Sequence, residues 1–141
     1  MYVTEVESMN FLETTFNWSY LLIAASVGIL IALLVLRKND YDKSKIQVLS
    51  VDDFVNTMRK GTLIDTRKHD IYEQGKILGA KNYPGASGAK DSTVRKDIPI
   101  FLYDQTGKSA PNYAKNYAKA NAVMVYILKG GYEAFLESKK K

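Results

Sequence analysis

Nineteen consecutive residues, Trp18 to Leu36 (WSYLLIAASVGILIALLVL), contain no charged side chain and no proline. A helix rising about 1.5 Å per residue makes this run roughly 28 Å long, close to the roughly 30 Å hydrocarbon core of a bilayer. A core helix of that length in a small protein carries a polar stripe, and this run has none. A cleaved signal peptide begins with a basic segment and ends at a small-residue cleavage site. Here Glu5, Glu7 and Glu13 precede the run, and Arg37 and Lys38 follow it. The segment is therefore read as a retained transmembrane helix over 18–36. Ser26 can bond back to its own helix, Gly28 is tolerated in lipid, and Trp18 and Tyr20 stand at the level of an interfacial aromatic belt. Ala24 and Gly28 have the small-xxx-small spacing used by paired transmembrane helices.

Charge sets the expected orientation. Residues 1–36 hold three acids and no Lys or Arg, so all 20 basic residues lie in 37–141 with the other 12 acids, a net +8 there. Arg37, Lys38, Lys43 and Lys45 flank only the C-terminal end of the apolar run. The positive-inside rule then gives a single-pass cell-membrane protein, with residues 1–17 outside and the C-terminal domain cytoplasmic. A basic domain beside a bilayer is attracted to anionic headgroups. The lysines are scattered, not gathered into a stripe with interleaved aromatics, which argues against nucleic-acid binding.

The chain has no cysteine, which excludes disulfides, thiolate metal sites and thiolate nucleophiles. Its one histidine, His69, excludes a multi-histidine metal site and reads as a surface residue. No metal and no cofactor is expected.

Beyond a polar linker at 37–45, strand and helix signals alternate over 46–138, with a basic tail at 139–141. Ile46–Leu49 reads as a strand. Ser50 caps a helix whose apolar face is Val51, Phe54, Val55 and Met58, and Gly61 ends it. Thr62–Asp65 reads as a buried strand, and a helical stretch then runs to Gln74. Ala80–Tyr83 is a short strand, 85–97 a loop, and Ile98–Tyr103 a central strand with Pro99 near its start. Ala110–Ala120 is a helix with Pro111 in its first turn. Ala122–Ile127 is a strand, 128–131 a turn and Tyr132–Ser138 a final helix. Alternating strands and helices imply an α/β fold with a parallel sheet flanked by helices.

Several segments, in order, resemble the rhodanese-like family. Leu63-Ile64-Asp65-Thr66-Arg67 is similar to its Leu-Ile-Asp-Val-Arg strand end. Gly75-Lys76-Ile77-Leu78-Gly79-Ala80 with Asn82-Tyr83-Pro84 is similar to its Gly-His-Ile-x-Gly-Ala and Asn-x-Pro block. Pro99–Tyr103 resembles the strand entering the active loop. Leu128-Lys129-Gly130-Gly131-Tyr132 resembles the C-terminal signature, with Phe135 where Trp is common. The resemblance is to membrane-anchored bacterial rhodanese-like proteins, and it implies a small rhodanese-like domain over 46–138.

In that family the loop after the central strand points backbone N–H groups at a cysteine, whose thiolate carries sulfur. The resemblance places the first position of that loop on Asp104, in Asp104-Gln105-Thr106-Gly107-Lys108-Ser109. Gly107 keeps the loop glycine. Ser109 stands where active members often have a basic residue, with Lys108 one place earlier. A carboxylate cannot form a persulfide, but it carries the charge that such an anion cradle favours. Asp65 and Arg67 are read as a supporting acid–base pair that bonds to backbone or to each other.

Two other signals fall short. Gly107-Lys108-Ser109 looks like the end of a P-loop, but the glycine required five residues before its Gly-Lys is Leu102 here. Asp104-Gln105-Thr106-Gly107 looks like a phosphoaspartate motif without a further acid or lysine motif downstream. Tyr113, Tyr117 and Tyr126 read as packing or rim residues. The expectation is an inactive homologue that binds a membrane or cytoplasmic protein. An enzyme using Asp104 as base or phosphoacceptor, and a lipid-surface module, are the alternatives.

Overall fold

The computed structural model describes residues 17–38, 41–120 and 122–141. The expected outer segment up to Phe16, Asn39 and Asp40 of the linker, and Asn121 fall outside the described residues. The chain divides into two units, 1–40 and 41–141.

The first unit contributes α1, Trp18–Lys38. Asn17 starts it, its Oδ1 accepting the Ser19 N–H at 3.1 Å, and Ser26 Oγ donates to the Ile23 carbonyl at 2.8 Å. Every side chain from Trp18 to Leu36 is exposed. The helix is long and apolar enough to cross a membrane. It runs two residues past the expected end at Leu36, because polarity does not stop a helix and both Arg and Lys are good helix formers.

In the second unit five strands form one parallel sheet: β1 Ile46–Leu49, β2 Thr62–Asp65, β3 Lys81–Asn82, β4 Ile100–Tyr103 and β5 Val125–Leu128, in the order β1-β5-β4-β2-β3. Ile46, Val125, Ile100 and Thr62 stand in register, so four strands begin along one line. Helices α2 (Val51–Thr57), α3 (His69–Gln74), α4 (Ala110–Lys119) and α5 (Gly131–Ser138) connect and follow them.

All four residues of β4 are buried, as the middle strand of a parallel sheet covered on both faces must be. Alternation splits the core in two. Ile100 and Leu102 pack with Ile64, Val125, Ile127 and the α4 residues Ala110, Ala114 and Tyr117. Phe101 and Tyr103 pack with Leu63, Leu128, Phe54 of α2 and Phe135 of α5. Ser50 caps α2, its Oγ accepting the Asp53 N–H at 3.2 Å and donating to the Asp53 carboxylate at 2.8 Å.

Boundaries differ from expectation where tertiary contacts claim the backbone. The central strand begins at Ile100, not Ile98, and the Pro99 carbonyl accepts the Thr62 N–H at 2.9 Å just before it. The last strand is 125–128 and not 122–127. The Ala122 N–H returns to the Tyr117 carbonyl and the Val123 N–H to that of Lys96, so these residues close α4 and pin a loop. Leu128 therefore ends the strand and does not begin the turn. The short strand is Lys81–Asn82 rather than Ala80–Tyr83, and the 85–97 loop contains one 3-10 turn, Ser87–Ala89.

Candidate functional site

Because every strand is parallel, every strand ends at one edge, where a crevice between diverging turns is the usual ligand position. Asp65 ends β2, Tyr103 ends β4 and leads into Asp104, and Leu128 ends β5 before Gly130-Gly131. Three turns thus meet beside one loop.

Asp104 is buried, 6% exposed. Its Oδ1 accepts the Gly107 N–H at 2.6 Å, and its Oδ2 accepts the N–H groups of Ser109 at 2.7 Å and Ala110 at 3.3 Å. Three amides therefore converge on one carboxylate, the last at the first residue of α4, where helix amides have no partner within the helix. Gly107 adopts φ +82°, the left-handed region a glycine enters without strain.

The loop is held from behind by α5. Tyr132 N–H donates to the Asp104 carbonyl at 2.8 Å and Glu133 N–H to that of Gln105 at 3.1 Å. Gly130 and Gly131, at φ +77° and +65°, make this approach possible. Sequence alone shows them as a turn and part of the family's C-terminal signature, because their part in building the loop depends on which segment packs against them. The available signal was a glycine pair directly after a buried strand.

Arg67 ties the loop to β2. It is buried, and its Nε and Nη2 donate to Asp65 at 3.0 and 2.6 Å, while its backbone N–H reaches Asp65 Oδ1 at 2.9 Å. Nη1 donates to Gln105 Oε1 at 3.1 Å and Nη2 to the Gly75 carbonyl at 2.6 Å. The guanidinium also lies 4.0 Å from the centre of the Tyr132 ring. Burial works against its charge, but the hydrogen bonds and attraction of Asp65 outweigh that and raise its pKa. Asp65 thus bonds both to the Arg67 side chain and to backbone.

Tyr103 completes the support, its hydroxyl accepting the Ile77 N–H at 3.1 Å. Burial, with the nearby Asp65 charge, pushes this phenol well above its ordinary pKa.

Asp104 and Gln105 are thus brought together with Asp65 and Arg67. Thr106, Lys108 and Ser109 are exposed on the outer side of the loop. Thr106 and Ser109, but not Lys108, border a shallow hollow of about 300 Å³ shared with Arg67, Asp104, Gln105 and Tyr113. A larger hollow of about 720 Å³ lies between Ala86–Lys90 and the C-terminal half of α4 and contains none of the loop residues. His69 is exposed, with Nδ1 3.3 Å from Asn82 Oδ1. Among the described residues no three His, Asp or Glu side chains are grouped to hold a metal ion.

Residues 50–138 match the model of the rhodanese-like domain. The chain belongs to the rhodanese-like family. It is 32% identical over 94 residues to the uncharacterized protein YqhL of Bacillus subtilis, covering 66% of this chain and 75% of that protein. It is 26% identical over 113 residues to the uncharacterized protein YibN of Escherichia coli K12, covering 76% and 78%. Among solved structures, the rhodanese-related protein of Thermoplasma volcanium superimposes with a TM-score of 0.59 at 14% identity, over 65% of this chain and 92% of that one. The rhodanese-like domain of an Anabaena protein does so at 0.58 and 21% identity, over 64% and 73%. At these identities the structural likeness speaks for the rhodanese-like fold alone.

Proposed function

We propose that this rhodanese-like protein is anchored in the cell membrane by α1, transfers no sulfur, and binds a protein partner through the 104–109 loop. The observation that carries the reading is the Asp104 carboxylate, which accepts three loop amides where the family resemblance puts a cysteine. Sulfur transfer of that kind needs a thiolate to become a persulfide, and the chain has no cysteine to supply one.

The loop nevertheless keeps its scaffold: the Gly107 turn, the amides of α5 and the Arg67 clamp. A loop held this firmly without its nucleophile offers a preformed surface, which lowers the ordering cost of binding. Thr106 and Lys108 project from it, with Ile71 and Leu136 exposed on neighbouring helices. Use of Asp104 as a base or phosphoacceptor fits less well, since both carboxylate oxygens already accept amides. The basic flank of α1 supports an outside N-terminus and a cytoplasmic domain.

A photo-crosslinking residue at Thr106, in the native membrane, tests the proposal against the same residue at Ser138. The expected result is a defined protein adduct from position 106 only, with no cyanide-dependent thiocyanate formation by the purified chain. Equal or absent adducts at the two positions would overturn the binding role. Thiocyanate production would overturn the inactive assignment, and metal-dependent phosphatase activity lost in Asp104→Asn would favour the phosphoacceptor use.

A further inference from the structure

The parallel topology sorts the loops of the domain into two sets. Those feeding strand starts lie at the edge opposite Asp104. Backbone bonds tie several of them together: Thr62 N–H to the Pro99 carbonyl, Ile100 N–H to that of Met124, and Val123 N–H to that of Lys96. Lys119 Nζ stands 5.8 Å from the Tyr41 ring at the point where the domain begins. Leu78 and Gly79 share a hollow with Met58, Arg59 and Gly61 on the same edge.

Charge follows this sorting. The segments entering the strands on that edge (41–45, 58–61, 78–80, 91–99 and 119–124) hold seven Lys or Arg and three carboxylates. The segments leaving β1, β2, β4 and β5 (50–53, 65–70, 104–110 and 129–133) hold four cations and six carboxylates. This net +4 edge also carries apolar tips. Leu78 is 92% exposed, more than any other large apolar side chain among the described residues, and Val123 is 47% exposed. Arg59 and Lys60 are exposed beside the hollow that Leu78 lines.

We infer that this strand-start edge rests on an anionic phospholipid surface, with Leu78 entering the headgroup layer between cations and the Asp104 loop directed away from the bilayer. The inference rests on the anchored reading of α1. Only Asn39 and Asp40 separate Lys38, the last residue of α1, from Tyr41, the first of the domain unit. Such a connector reaches about 11 Å at full extension, comparable with a Debye length of about 8 Å at physiological salt. Lys43 and Lys45, just before β1, are therefore tethered near a negative leaflet, and the same edge of the sheet continues to Arg59, Lys60 and Leu78. Aliphatic tips among lysines and arginines are what an interfacial surface requires. The acidic opposite edge would be repelled from the same leaflet, so the two edges select one orientation.

The absence of cysteine makes the test direct, because each introduced thiol is unique. Full-length Leu78→Cys, Thr106→Cys and Ile29→Cys carry a nitroxide label in vesicles of phosphatidylcholine, with or without phosphatidylglycerol. Accessibility to oxygen relative to a water-soluble nickel chelate reports depth. The expected result is a label at 29 in lipid in both vesicles, a label at 106 in water in both, and a several-fold rise at 78 only with phosphatidylglycerol. Arg59→Glu with Lys60→Glu abolishes the rise at 78 and leaves 29 unchanged. A label at 29 in lipid with 78 still aqueous overturns this inference alone, as does an equal rise at 78 and 106. A label at 29 that stays aqueous overturns the anchored reading, and this inference with it.

Discussion

A methyl group added to Gly131 would lie 2.6 Å from the carbonyl oxygen of Asp104, and nearly as close to Gln105 C and Gly107 N. The glycine pair after β5 is therefore part of the loop wall. Gly131→Ala forces either that backbone apart or the φ of +65° out of its region. The expected cost is about 2–3 kcal/mol, measured by denaturant unfolding, with faster amide exchange at Gly107 and Ser109. Gly28→Ala, which meets nothing within 4 Å, serves as a control that leaves domain stability unchanged.

Arg67 is the tie most sensitive to shape. Arg67→Lys keeps a charge but cannot span Asp65, Gln105 and the Gly75 carbonyl together. Arg67→Met leaves the fully buried Asp65 carboxylate without its partner, at a cost of about 3–5 kcal/mol. Thermal or denaturant unfolding is expected to rank wild type above Lys, and Lys above Met. A Met variant as stable as wild type would show that the pair contributes nothing.

Asp104→Cys puts a thiol at the focus of the amides of Gly107, Ser109 and Ala110. Those donors favour the anion, so the thiol pKa is expected to fall from about 8.5 to below about 7. The pH dependence of iodoacetamide alkylation reads this without interference from another thiol. An unshifted thiol would mean that the cradle does not act on this position.

Alkali should unfold the domain through its buried phenols. Tyr103 and Tyr117 are both fully buried, and burial raises both pKa values well above 10. Above pH 10 the unfolded chain loses these protons while the folded chain keeps them. Stability therefore falls as pH rises, by about 1.4 kcal/mol per pH unit for each phenol, and is fully present below pH 10. Tyr103→Phe should halve the part of the slope due to these two groups, while also costing about 1 kcal/mol for the lost Ile77 bond. Unfolding midpoints between pH 9 and 11.5 measure the difference.

Much of the fold is legible in order along the chain. Ser50 before Val51–Phe54, Gly61 before Thr62 and the apolar run to Tyr103 each announce a boundary, because capping, the low helix propensity of glycine and burial act on neighbouring residues. Strand ends are less legible. Ala122 and Val123 are as apolar as a strand requires, yet their N–H groups are taken by Tyr117 and Lys96, partners that pattern alone does not reveal. At the site, Asp104, Asp65 and Arg67 are readable from composition and resemblance. The role of Gly130 and Gly131 is not, since it depends on which loop packs against them.

By itself the sequence determined that no thiolate chemistry is open to this chain, that one segment is long and apolar enough to cross a bilayer, and that strands alternate with helices. These follow from residue identity and near-neighbour periodicity. Tertiary structure alone decided that Asp104 turns both oxygens onto its own loop, that α5 holds that loop through backbone amides, and that basic and acidic loops part to opposite edges of the sheet. Such relationships join residues far apart in the chain, and only the closing of the parallel sheet brings them within hydrogen-bonding or Coulombic reach.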